Sequence, residues 1–414
     1  MLKIRFYLLL LLFSEAAIAQ PLSLREAVER ALTQNLMLKR QTELQAGAEA
    51  KTLITLSPEK PVVSYYTEDM LNSPTDNQAV RRWQLSQGFD FPLTTYYRAR
   101  AQSRLASAAA SETEELKRHV AADVRITYMQ VAFATAIERL SQESRAVSQR
   151  FYEISKRLYE IGEVSELQVL RAQTELVRSE NALIEAQAKL SESQCNLALQ
   201  LGDATDTNLT VIDSLRETFA QMDLAMLSQT MSESRPLFKV LKAKQESAED
   251  IQAAAFYALF PSLRLTVFQQ RFTPTFNPNQ NFYGGEIALS IPLWFWLGER
   301  GEIAEKSALL RAQRHEAQFI KQQVEAEWRN TVSRYEAARL QAARATQEEL
   351  TYARRASNAA ERQLQTGNIG YIEYLDVKRA YFDAERNALQ KRLDAERAFA
   401  ELLRITGIIN LNDQ

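Results

Sequence analysis

Two long stretches of this chain contain no proline. One runs from about Tyr97 to Ile161 and the other from about Leu297 to Thr366, with Gly298 and Gly301 the only glycines in either. At about 1.5 Å per residue, each stretch makes a helical rod of roughly 100 Å. A helix that long is stable only when packed along its length. Apolar spacing is loose and alanine-rich, as in AQSRLASAAASETEELKRHVAADVRITYMQVAFATAIERL from Ala101. Small residues let helices approach closely, and the polar remainder leaves one face for water. Each rod then meets a glycine and runs on into more helix, in RLYEIGEVSELQVLRA (Gly162) and RQLQTGNIGYIEYLDV (Gly367, Gly370).

The chain is written twice. At an offset of 200, Leu24 falls on Leu224, Leu38 on Phe238, Pro61 on Pro261, Pro92-Leu93 on Pro292-Leu293, Arg100 on Arg300, Val124 on Val324 and Tyr128 on Trp328. Past the middle the offset becomes 205: Gly162 falls on Gly367, Leu170 on Leu375 and Gly202 on Gly407. A period this long is not a solenoid repeat and fits a duplicated domain. The expected division is 1–19, 20–210 and 211–414. Each half reads as short helix, strand, loop, strand, long helix, glycine, long helix. Residues 23–35 place Leu24, Ala27, Val28, Ala31 and Leu32 on one face, with Ser23 as N-cap. Strands are expected at about 61–69 and 80–92, where Trp83, Leu85, Phe89 and Phe91 alternate with polar residues and Gly88. The counterparts are expected at about 261–270 and 282–293. Residues 70–79 and 273–281 read as turns. Helical hairpins follow at about 96–201 and 296–406.

The first residues, MLKIRFYLLLLLFSEAAIAQ, have an export layout: Lys3 and Arg5, a short apolar run, then Ala17-Ile18-Ala19. A cleaved signal peptide is expected over 1–19, with a retained anchor as the alternative. Cys195 is the single cysteine, so no intrachain disulfide forms, and an exported chain without one is held by packing or assembly. No later window has about 18 uninterrupted apolar residues, so no membrane helix is expected. The net charge of −2 gives no basic excess, which argues against a nucleic-acid partner.

Each strand has about 10 residues, the length a tilted strand needs to cross a bilayer. Four strands cannot close a barrel, and open edges are not tolerated in lipid. The strands therefore form a soluble sheet, or several chains share one barrel, three copies giving twelve strands. Tyr96, Tyr97, Trp294, Phe295 and Trp296 follow the strands directly. They read as an aromatic belt at the membrane interface or as core aromatics at a sheet–helix junction. On the membrane reading the rod descends from the strands, and the glycine is where it turns back; the plainer alternative is a glycine tolerated within a continuous helix.

On these features the chain resembles the TolC family of outer-membrane efflux channels over essentially the whole mature sequence. GEVSELQVLRAQTEL and GNIGYIEYLDVKRAYFDAERNAL are similar to the family's tip turns. YYTEDMLNSPTDNQ followed by QLSQGFDFP resembles the branch of CzcC- and CusC-like heavy-metal efflux channels. The resemblance implies a mainly α fold with a small β part. Three copies share a twelve-stranded transmembrane β-barrel and continue as an α-helical tunnel through the periplasm. It implies a passive duct in the outer membrane, not an enzyme, that works with a periplasmic adaptor and an inner-membrane pump. The pump is expected to be of the resistance-nodulation-division (RND) type, with the ABC transporter of a secretion system as the alternative. The tips that meet the adaptor are Ile161-Gly162-Glu163 and Thr366-Gly367-Asn368, where the glycines match the family and their neighbours depart from it. Glu373 and Asp376 match a family pair of acidic residues at the periplasmic aperture. Their spacing places them on one helix face, where three copies would attract cations; a solvated face is the alternative. The first half has Gln168 and Arg171 there. Leu364 and Ile369 stand where the family's best-known channel has its closing tyrosine and arginine, so closure is expected from other contacts among Ile369, Ile372 and Leu375.

Other chemistry is thinly represented. His119, between Glu115 and Asp123, and His315 have no second His or Cys at ligand spacing, so no metal site and no cofactor is expected. Cys195, in SQCNLALQL, reads as a small packing residue. A periplasmic adaptor or scaffold is the competing class, but no β domain flanks the hairpin arms. A cytoskeletal coiled coil would need sustained heptads, and the strand inserts and the export signal oppose it.

Overall fold

The computed structural model describes residues 21–73, 76–203, 209–219, 221–273 and 280–407. The export segment expected at 1–19 and most of the turn expected at 273–281 lie outside them. The chain divides into two compact units: residues 37–116 with 230–327, which hold the sheet, and residues 1–36, 117–229 and 328–414, which hold the two glycine turns.

In the first of these, β1 (Val62–Ser73), β2 (Asp76–Phe89), β3 (Ser262–Thr273) and β4 (Gln280–Ser290) form one antiparallel sheet in the order β1-β2-β3-β4. Its register sorts the side chains by chemistry. Tyr65, Trp83, Gln269 and Tyr283 stand opposite one another, as do Val63, Leu85, Val267 and Gly285. With Leu265 and Ile287 they make the middle of one face largely apolar, with Gln87 and Gln269 in it and Arg81 and Arg271 toward the hairpin ends, and Tyr283 on it is 78% exposed. The opposite face carries Ser64, Arg82, Gln84, Ser86, Thr266, Gln270 and Glu286 together with the aromatics Tyr66, Phe268 and Phe282. There Ser86 and Thr266 share a hydrogen bond of 3.0 Å, and Arg82 donates to Gln270. The strands run further toward the hairpin loop than expected, β1 reaching Ser73 and β2 starting at Asp76, through residues read as turn-formers. Ladder pairing overrides turn propensity here, because an interrupted ladder leaves backbone groups without partners.

The long helix α3 (Pro92–Glu160) starts on a proline, whose missing N–H costs nothing at a first helical position. Two further helices, α2 (Leu36–Leu56) and α6 (Pro236–Tyr257), lie where no helix was expected beyond residue 35 and its counterpart. Leu36, Leu44, Leu53 and Ile54 of α2 are exposed and form no single buried stripe, so periodicity does not reveal it. Thr113 of α3 donates to Gln45 of α2 at 2.9 Å. Asp250 of α6 is buried and held by Arg100 and Arg104 of α3.

The second unit contains α1 (Leu24–Gln34), the remainder of α3, α4 (Glu166–Leu201), the later part of α7 (Glu299–Arg344), α8 (Leu350–Gln365) and α9 (Tyr371–Thr406). Ser23 and Glu26 close a capping box on α1. The short α5 (Leu224–Ser234) precedes α6. Packing in this unit follows a seven-residue period of small residues. Ala134, Ser141, Ser148 and Ser155 are buried on α3, and Ala172, Ser179, Ala186 and Ser193 on α4. Arg145–Glu180 and Gln187–Glu138 contacts join the two helices. A strict seven-residue seam of this kind keeps two long helices in register as a coiled coil. Cys195 lies off that seam and is exposed rather than packed.

The descending helix of the second half keeps the seam through a defect. Tyr335 and Ala342 are buried seven apart, as are Leu350 and Ser357, but Ala342 and Leu350 are eight apart. Between them Ala345–Glu349 form a π-helical turn. A π turn holds one residue more than an α turn, so it absorbs the extra residue without rotating the seam. It lies within the segment where the internal offset changes from 200 to 205.

Candidate functional site

The two glycine turns have the same construction. Gly162 has φ +81° and Gly367 φ +72°, both left-handed. In the first, Gly162 N–H donates to Tyr159 O and Glu163 N–H to Leu158 O. In the second, Gly367 donates to Leu364 O and Asn368 to Gln363 O. This is a Schellman closure, which satisfies the last carbonyls of the descending helix. Ser165 and Gly370 then start α4 and α9 with the same extended backbone, φ −81° and −78°. Both turns are exposed, Ile161 to 71%.

Behind the turns, Phe151 of α3, Ala172 of α4 and Leu375 of α9 form a buried cluster, with Tyr371 stacked on Phe151 at 5.9 Å. Leu375 is 6% exposed and packs within its own chain. Leu364 and Ile369 are half-buried, and Ile372 is exposed. Glu373 stands exposed in the first turn of α9, where the helix dipole favours a carboxylate, and makes no ion pair among the described residues. Asp376 is not equivalent: Arg379 Nη1 lies 3.2 Å from it. The same guanidinium donates through Nε to Glu175 of α4 at 3.0 Å. The hydrogen bond to Glu175 holds the Arg379 pKa above its ordinary value. Gln168 is half-buried and Arg171 exposed on α4. The sequence reading missed Arg379 and Lys378, which pairs with Glu361 of α8 at 3.6 Å. The i,i+3 spacing of Asp376 and Arg379 was the available signal. Further along α9, burial first and then the hydrogen bond to Glu385 push the Tyr381 hydroxyl up to about 12.

The aromatics after the strands behave unequally. Tyr97 stacks on Tyr257 at 5.2 Å and lies under Arg100, with Phe91 and Phe260 beside them, so it belongs to a packed sheet–helix junction. Tyr96, Trp294, Phe295 and Trp296 are exposed, and Trp294 and Phe295 each meet Trp296 edge-on. His119 acts electrostatically on Asp123, while Glu115 pairs with Arg235 at 3.2 Å. Among the described residues no group of three or more His, Cys, Asp or Glu could hold a metal ion, and no helix is long and apolar enough to cross a membrane.

A four-stranded sheet with a largely apolar face and two long helical hairpins that turn on a glycine are the features by which the chain can be compared with known proteins. Residues 61–203 and 227–408 match the family described as outer membrane efflux protein, and the chain belongs to that family. It is a channel family and not an enzyme family, and the protein is an efflux channel of the outer membrane. Comparison with curated proteins gives no significant match. Three solved structures illustrate the likeness in fold. The CmeC outer membrane channel of Campylobacter jejuni superposes with a TM-score of 0.79 at 18% identity, covering 93% of this chain and 85% of that one. CusC gives 0.77 at 17%, with coverages of 93% and 92%. The open-state MtrE channel of Neisseria gonorrhoeae gives 0.73 at 16%, with 93% and 89%.

Proposed function

We propose that three copies of this chain complete one twelve-stranded barrel. They form a passive duct that receives cargo from an inner-membrane pump through a periplasmic adaptor. The carrying observation is the amphipathic sheet with two outer edges, on β1 and β4, that no described strand covers. Uncovered edges are not tolerated in hydrocarbon, so β4 of one copy pairs with β1 of the next until the ring closes. Twelve strands is within the range of outer-membrane barrels. The apolar face with Tyr65, Trp83 and Ile287 meets lipid, and the face with Arg82, Gln84 and Glu286 lines the pore. Tyr96, Trp294, Phe295 and Trp296 sit at the interface. The turns at Ile161–Glu163 and Thr366–Asn368 dock the adaptor. The pump is of the RND type and the cargo metal cations or drugs, a reading supported by the likeness of the β1–β2 segment to heavy-metal channels.

At the periplasmic aperture Glu373 supplies the charge that attracts cations, and Asp376 contributes less because Arg379 neutralises it. Ile369 and Ile372 make the apolar closing contacts, since Leu375 is committed within its own chain. Single-channel conductance in planar bilayers tests this. Cation-selective pores blocked by millimolar divalent cations are expected, with block lost in Glu373→Gln and largely kept in Asp376→Asn. Equal effects of the two substitutions would remove the assignment to Glu373. Absence of trimers and of membrane association would remove the duct.

A further inference from the structure

In the unit that holds the sheet, the helices form a row in the same order as the strands. Helix α2 joins α3 through Thr113–Gln45 and through Gln102, which donates to Ala48 O at 3.3 Å. Helix α3 joins α6 through Arg100–Asp250 and through Lys244–Glu112 at 2.7 Å. Helix α6 joins α7 through Gln252, which donates to Ser307 at 2.8 Å, and through Arg314–Glu249 at 3.1 Å. Helices α2 and α7 therefore end the row, as β1 and β4 end the sheet. Each turns a seven-residue seam inward: Leu38, Gln45 and Thr52 on α2, and Leu310, Ala317 and Val324 on α7. The opposite faces are exposed. That of α2 carries Gly47, Ala50 and Ile54, and that of α7 carries Gly301, Ala304 and Ala308. Exposed Leu44 flanks the first, and exposed Leu297 and Leu309 stand beside the second. Gly47 lies in the interior of a helix, where glycine is less stable than alanine, and no atom lies within 4 Å of a Cβ built there. Nothing inside the chain requires it.

We infer that α7 of one copy packs antiparallel on α2 of the next, along a seam centred on Gly47 and Ala308. The inference rests on the reading of the sheet as one third of a shared barrel, and it carries the subunit junction down into the helices. Helix α2 runs toward the sheet and α7 away from it, so joining β4 to β1 lays the two helices side by side in opposite directions. Their ends nearest the sheet are Leu56 and Glu299. Counted equally from those ends, Gly47 stands level with Ala308, Ile54 with Gly301, and Glu43 within one residue of Arg311. Small residues on both sides let the helix axes approach to about 8 Å, the near end of the usual range. Leu44, Ile54 and Leu309, exposed in the single chain, are covered by that approach. The charges agree as well. Glu43 and Arg311 make no ion pair among the described residues, and the antiparallel arrangement sets them on the same side of the seam. Lys51 and Glu305 form a second pair of opposite sign on the other side. The two faces complement each other in bulk and in charge, so a second copy of this chain is the partner they fit.

The test uses the full-length protein in a Cys195→Ser background, extracted from outer membranes and oxidised. Gly47→Cys is combined in turn with Ala304→Cys, Ala308→Cys and Ala312→Cys, which scan one helical turn to either side of the expected level. Within one chain α3 and α6 separate the two helices, so three spacings of about 8–10 Å forbid an intrachain bond. A covalent trimer is expected, strongest for the Ala308→Cys pair. Gly47→Leu separates the alternatives by sign. On a face that meets water, leucine in place of a helix-interior glycine raises thermal stability. In the seam it holds the helices apart, so the temperature at which the trimer dissociates is expected to fall. No covalent trimer from any of the three pairs, while Val63→Cys/Leu289→Cys at the strand edges still gives one, overturns the helical seam and leaves the barrel intact. A Gly47→Leu trimer more heat-stable than the native one also overturns the seam. No covalent trimer from the strand-edge pair either overturns the shared barrel on which the inference rests.

Discussion

Replacing Gly367 by alanine isolates one physical cause. The residue has φ +72°, and no atom lies within 4 Å of a Cβ built there, so a methyl group clashes with nothing. What remains is the backbone term. A left-handed conformation costs a non-glycine residue roughly 1–2 kcal/mol. Alanine returns about 0.4–1 kcal/mol by narrowing the unfolded ensemble. The net is about 1 kcal/mol, or roughly a fivefold rise in the local opening equilibrium of the turn. Hydrogen exchange of the amides from Leu364 to Gly370 reads that change directly. Gly162→Ala, at φ +81°, is expected to do the same to the first turn. Gly367→Asn is expected to recover part of the loss, since asparagine tolerates the left-handed region. Gly370→Ser is the internal control. Its backbone, φ −78° and ψ 160°, matches that of Ser165, φ −81° and ψ 157°, so it is expected to leave exchange unchanged or slower. Equal exchange in Gly367→Ala and the native protein, or equal acceleration by Gly370→Ser, would refute left-handed geometry as the reason for glycine.

Three further outcomes follow from the packing. Deleting Gln347 removes the extra residue of the π turn and is expected to keep the protein as heat-stable as the native one. Deleting Asn358 within α8 turns the following seam by about 100° and is expected to lower the melting temperature sharply. Glu396 is buried and gripped by Arg216 at 2.8 and 2.9 Å, so Arg216→Met leaves a buried charge alone and is expected to cost about 3–5 kcal/mol in thermal unfolding. Adding Glu396→Gln is expected to restore much of it. Asp123 is the pH-dependent case. Partial desolvation raises its pKa although the residue stands exposed, so its contribution is most favourable below the unfolded carboxylate pKa and is lost as pH rises through the folded value. Asp123→Asn is therefore expected to raise the melting temperature only slightly at neutral pH, with the two melting curves converging near pH ~4.

The long helices, the four strands and both glycine turns could be read in the sequence because each has a local signature: no proline over some 60 residues, alternation around Trp83, and a glycine followed by renewed helix. The duplication added a second copy of every signal. What escaped was set by tertiary pairing. Asn72 and Ser73 have turn chemistry, yet β1 runs through them because β2 supplies a ladder. Helix α2 lacks a stripe, since its leucines are largely exposed. The seam of Ala134, Ser141, Ser148 and Ser155 was visible as a seven-residue period but carries little hydrophobicity, so a search for apolar heptads passes over it. At the turns the acidic pair was legible as a pair. That Arg379 takes one member and leaves the other depends on where α4 places Glu175, which sequence spacing does not encode.

The claim that copies close a shared barrel is tested most directly by a disulfide across the proposed junction of β4 and β1. Val63 and Leu289 share the apolar face and stand near the helix-side ends of the two outer strands. Within one chain, three strand spacings of about 4.8 Å separate those strands, too far for an intrachain bond. In a Cys195→Ser background, oxidised Val63→Cys/Leu289→Cys protein extracted from outer membranes is expected to run as a covalent trimer with no larger species. Monomer alone, or a ladder that continues past three copies, would contradict a closed barrel of three chains.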